Sequence, residues 1–107
     1  MNIYLKWKVA KKDYSYIKEI IISKPEEILT LNYKEKITII KFLVETSDIE
    51  RLSILFCITR NYAFRKVIIE QVQTHVNYKL WDALINECLI DFIEFATTNH
   101  ENKLLEY

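Results

Sequence analysis

Not one glycine occurs in the chain, and that absence restricts the folds open to it more than any other feature. Glycine adopts left-handed backbone without steric cost, so phosphate-cradling loops, nucleophile elbows and dinucleotide-binding turns depend on it. Enzymes built on such loops are disfavoured, and no enzymatic activity is expected. Tight hairpins and C-terminal helix caps also use glycine, which leaves Asn, Ser and Asp to punctuate the chain. Helices joined by short polar turns satisfy that restriction. The expected fold is all-α, a single compact bundle of about five to six helices.

A length of 107 residues, half of them apolar, suits one domain whose core needs no staples. The 15 basic and 15 acidic residues cancel, which argues against a strongly basic nucleic-acid binder and against a disordered polyanion. Their distribution is uneven. Residues 1–41 hold nine lysines and five acids, a net +4, whereas residues 42–107 hold six basic and ten acidic residues, a net −4. Lys6 and Lys8 interrupt the first apolar stretch, so no signal-peptide core is expected there. The longest unbroken apolar run, Ile54 to Ile58, falls far short of the ~20 residues of a membrane-spanning helix. A soluble, cytoplasmic protein is expected. Cys57 and Cys88 lie in apolar stretches, where a free thiol packs as a small hydrophobe; a disulfide between them is possible without being required.

Ile3, Trp7, Ala10, Tyr14, Ile17 and Ile21 recur at steps of four and three, which predicts one helix over about the first twenty residues with those side chains inward. Ile3, Leu5, Trp7 and Val9 also alternate as a half-buried strand would, but such a strand has no evident partner. Ser23, Pro25 and Glu26 have the form of a capping box that opens a short helix from about Lys24 to Leu31. Asn32 with Glu35, and Ser47 with Glu50, repeat the device for the next two helices. Asn61 opens a further helix and Asn77 the last. That final helix carries Tyr78, Trp81, Ile85, Cys88, Phe92 and Phe95 at helical spacing, with Leu84, Leu89 and Ile93 widening the apolar arc. It is expected to be the central buried element. The tail from Thr97 is polar until Leu104 and is expected to fray.

A shift of 29 positions pairs Asn32-Tyr33 with Asn61-Tyr62, Ile39-Ile40 with Ile68-Ile69, Leu43 with Val72, Leu52 with Trp81 and Leu55 with Leu84. Two stacked helical hairpins would produce this pattern, and repeats of that kind present concave binding surfaces. Two Asn-capped hairpins of similar length would align in the same way without any repeat.

Side chains suited to catalysis are sparse. His75 and His100, the only histidines, have no Cys, His, Asp or Glu at metal-ligand spacing, so no metal or cofactor is expected. Cys88 sits on an apolar face, which favours packing over nucleophilic work. Lys6, Lys8, Lys11 and Lys12 interleave with Tyr4, Trp7, Tyr14 and Tyr16, a mixture able to hold phosphates and stack on bases, although Trp7 and Tyr14 also fall on the apolar stripe. Arg60, Asn61, Arg65 and Lys66 stand at a helix start, where a DNA-recognition helix carries its base-reading residues. Lacking excess positive charge and a turn glycine, that cluster makes nucleic acid the lesser expectation. A stronger feature is acidic: Glu87, Asp91 and Glu94 fall at i, i+4 and i+7, with Asp82 and Asn86 extending the polar side. A merely solvated face would look the same. Taken as a site, Asp82, Glu87, Asp91 and Glu94 form a partner-binding surface complementary to a basic protein.

With its length, helical content, acidic final helix and abundance of Ile, Lys, Asn and Tyr, the chain resembles the small helical immunity proteins of bacterial toxin–immunity pairs, such as those of contact-dependent growth inhibition. The resemblance implies that the chain binds and neutralises a cognate basic toxin, a nuclease for example, by covering its active site or substrate groove. The alternative is a small helical regulator that binds DNA through Arg60 to Lys66. Wide apolar arcs also leave a homodimer open.

Overall fold

Every regular element in the computed structural model, which describes residues 3–75 and 78–98, is a helix. In chain order these are α1 (Ile3–Ala10), α2 (Tyr14–Ser23), a 3₁₀ helix (Pro25–Thr30), α3 (Tyr33–Glu45), α4 (Ile49–Thr59), α5 (Tyr62–Thr74), α6 (Tyr78–Glu87) and α7 (Leu89–Thr98). The all-α expectation holds. Its count of five to six helices is too low, because two stretches read as continuous helix are broken.

The first break follows from a left-handed residue. Lys12 has φ 58°, its amide donates to Val9 O and the amide of Asp13 donates to Lys8 O, both at 3.0 Å. This paired C-terminal closure normally places glycine at the left-handed position. Asp13 then caps α2 by accepting from the Tyr16 amide at 3.3 Å. The same sequence of events closes α3. Ser47 has φ 53°, its amide donates to Val44 O, the Asp48 amide donates to Leu43 O, and Asp48 accepts from the Arg51 amide. Ser47 is thus the left-handed closer of α3, and the cap expected of it belongs to Asp48. Because the chain turns at Lys12, the inward residues of α1 are Leu5 and Val9; Ile3, Trp7 and Ala10 are exposed, not buried as the single-helix stripe required. Ser23 caps nothing ahead of it: its hydroxyl donates back to Glu19 O, and the 3₁₀ helix begins at Pro25, behind an N-cap Lys24 that makes no side-chain cap bond.

The second break lies at Cys88, between α6 and α7. Phe92, Phe95 and Ala96 fill the inward side of α7, so Leu89 and Ile93, expected inside, are exposed. The Asn77 cap and the tail beyond Thr98 lie outside the described residues; Thr97 and Thr98 themselves belong to α7.

Asn32 and Asn61 do cap as their positions predict. Asn32 accepts from the Glu35 amide while Glu35 accepts from the Asn32 amide, both at 2.9 Å, and Asn61 accepts from the Phe64 amide at 3.0 Å. The helices they open, α3 and α5, are each 13 residues long. Ile39, Ile40, Leu43, Leu52 and Leu55 and their counterparts Ile68, Ile69, Val72, Trp81 and Leu84 are all buried in one core. α1 packs on α3 and α3 on α5 in one row; α2 packs on α4 and α4 on α6 in the other. The molecule is elongated, 41 × 26 × 22 Å. Tyr14 of α2 stacks on Phe42 of α3 at 3.8 Å, Lys6 of α1 pairs with Glu35 of α3 at 3.3 Å, and Arg51 Nε of α4 donates to Lys18 O of α2 at 3.1 Å.

Candidate partner-binding face

The position of α7 depends on how α4 ends. Arg60 turns left-handed at φ 47°, so the last carbonyls of α4 lose the amide donors that a continuing helix would provide. The side chain of Arg65 takes their place. Its Nε donates to Phe56 O at 2.8 Å, and Nη2 donates to Cys57 O at 3.4 Å and to Asp91 Oδ1 at 3.3 Å, with the guanidinium 4.9 Å from the Phe56 ring. Arg65 is only 3% exposed. One buried cation therefore joins α5 to the end of α4 and to α7, and Phe56 adds ring contacts to Phe92 and Phe95.

That arrangement divides the acidic residues expected to face a partner. Asp91 is half-buried and bonded to Arg65, so it braces α7. Asp82 and Glu87 on α6 and Glu94 on α7 are exposed. Between Glu87 and Glu94 stand Leu89, Ile90 and Ile93, all exposed, Ile90 to 80%. Glu94 follows Ile90 by four positions on the same helix, which places the two on one side. This aliphatic surface is not what the helical spacing predicts, which turns Leu89 and Ile93 inward. A signal was present: α7 carries Leu, Ile, Phe or Ala at six of ten positions, more than one inward stripe can hold.

Cys57 and Cys88 meet across α4 and the α6–α7 break with their sulfurs 3.3 Å apart, both as free thiols. Burial pushes both thiols up, and for Cys57 the neighbouring Asp91 adds to the effect. Neutral thiols of this kind are poor nucleophiles. Among the described residues, no three of His, Cys, Asp and Glu gather as a metal-holding group, and no helix is long and apolar enough to cross a membrane. His75 is the C-cap of α5, and His100 lies outside the described residues.

Of the cluster considered for DNA, Arg65 is buried and the Asn61 side chain is occupied as a cap, while Lys66 Nζ donates to Tyr62 OH at 3.1 Å. At the other end of the molecule, Lys8 Nζ bonds Asp13 Oδ2 at 2.9 Å and sits within 5.5 Å of the Tyr4, Trp7 and Tyr16 ring centroids. The bond to Asp13 raises the Lys8 ammonium and holds the Asp13 carboxyl below its usual range. Lys11 Nζ lies 4.1 Å from the Trp7 ring. Comparison of the chain with protein-family models, with curated proteins and with solved structures gives no match.

Proposed function

We propose that the chain captures a basic protein on the face formed by α7 and the end of α6, and that it acts as an immunity protein whose partner is a toxin, for example a nuclease. The observation that carries this reading is the exposed Leu89, Ile90 and Ile93 surface with Glu87 and Glu94 at its margins. An apolar centre with a polar rim is the anatomy of a protein interface, and a carboxylate rim speeds encounter with a basic partner and rejects acidic ones. In a nuclease groove, the carboxylates would take places otherwise held by substrate phosphates. A stable interface buries roughly 800 Å² per partner, more than three aliphatic side chains supply, so the contact extends along α6 to Asp82. Asp91 serves this face indirectly by holding α7 at its angle. The two-row packing supports a further reading of α3–α4 and α5–α6 as stacked hairpins, a construction that presents extended surfaces.

The resemblance to immunity proteins directs the test to the reading frame immediately upstream, where the toxin of such a pair is encoded. Co-expression with that product should restore growth for the wild-type chain. The Glu87→Lys/Ile90→Lys double variant should fold, by circular dichroism, and fail to protect. Undiminished protection by a folded double variant would remove this face as the site.

A further inference from the structure

The two ends of the molecule are opposite in charge and alike in apolar exposure. α1 packs on α2 and α3 and leaves Ile3, Tyr4 and Trp7 exposed, Ile3 to 75%. In the segment from Ile3 to Asp13, Lys6 is paired with Glu35 and Lys8 with Asp13, which leaves Lys11 and Lys12 as the exposed cations beside the aromatic surface. At the far end, Asp82, Glu87 and Glu94 are exposed against Lys79, Asp91 being engaged by Arg65, and Glu87 and Glu94 flank Leu89, Ile90 and Ile93.

From this polarity we infer that copies of the chain associate head to tail, the aromatic and lysine-rich end of one seating on the aliphatic and acidic end of the next. Charge decides against the symmetric alternatives. Two α7 faces brought together would oppose Glu87 and Glu94 to their own copies, and two α1 faces would oppose lysines to lysines, whereas unlike ends match in charge. A joint between different surfaces repeats, so the product is a ring or an open row. Trp and Tyr are the side chains that anchor interfaces, and here they have an aliphatic surface to cover. The apolar area at each end is small, so the joint is weak and forms only in concentrated solution. The inference shares with the proposed function its view of α7 as an interface. It adds that partner capture and self-association compete for that face.

The test uses the intact chain in sedimentation velocity over a wide concentration range, at low and high salt. Ile3→Glu spoils the head and Ile90→Lys the tail; Trp7→Glu is a second head variant should Ile3→Glu misfold. Wild type should gain mass with concentration and lose it as salt screens the joint. Each variant alone should remain monomeric. An equimolar mixture of the two should form dimers and grow no further, since one retains only a tail and the other only a head. A wild type that stays monomeric throughout, a head or tail variant that still dimerises alone, or a mixture that fails to pair would each overturn the head-to-tail joint. Toxin capture separates the two readings: loss of capture in Ile90→Lys without any self-association overturns this inference alone, and retained capture beside normal self-association overturns the partner face alone.

Discussion

Nη2 of Arg65 lies 3.3 Å from Oδ1 of Asp91, joining a guanidinium enclosed in the core to a half-buried carboxylate on α7. The same guanidinium holds Phe56 O and Cys57 O, so its removal strands three acceptors at once. Arg65→Met should therefore cost about 3 kcal/mol of folding stability in urea denaturation. Arg65→Lys should rescue little, because one ammonium cannot reproduce the planar fork. Asp91→Asn should cost less, about 2 kcal/mol, since both carbonyl bonds survive while the enclosed guanidinium loses its counter-charge. Equal losses from Arg65→Met and Asp91→Asn would mean that the carboxylate, not the end of α4, is what Arg65 stabilises.

Lys12 and Ser47 occupy left-handed backbone that costs a residue with a Cβ roughly 1–2 kcal/mol. Glycine removes that strain but gives back part of the gain through its freer unfolded chain. Lys12→Gly and Ser47→Gly should each stabilise by about 0.5 kcal/mol, a rise of roughly 2–4 °C in Tm for a domain of this size. An unchanged or lowered Tm in both would show that the flanking Asp13 and Asp48 caps relieve the strain already.

Asn32→Ala and Asn61→Ala should each cost about 1 kcal/mol, with Asn61→Ser near neutral. These caps were legible in the sequence because the bond is local, from a side chain to an amide three residues on. The breaks at Lys12 and Cys88 were not. Six apolar residues at helical spacing fit one helix or two equally well, and a left-handed lysine has no compositional mark of the kind that glycine leaves. The acidic side chains at Asp82, Glu87 and Glu94 were legible as exposed, whereas the inward turn of Asp91 depends on Arg65, 26 positions away. A contact of that range is set by packing, which periodicity does not report.

Burial holds the Cys57 and Cys88 thiols above the value of about 8.5 that they have in an unfolded chain. The folded protein thus retains protons that the unfolded chain releases, so their contribution is whole below about pH 8.5 and is lost as pH rises toward the folded values. Chemical denaturation between about pH 8 and pH 10 should show wild-type stability falling, while a Cys57→Ala/Cys88→Ala protein, weaker at neutral pH, holds nearly level. Parallel slopes for the two proteins would assign the alkaline loss to other groups.

α1, α3 and α5 form one row and α2, α4 and α6 the other, so the main neighbours of each element lie beside it in its row or across from it. The aromatic end and the acidic end can therefore open locally and independently of each other, because neither rests mainly on the other.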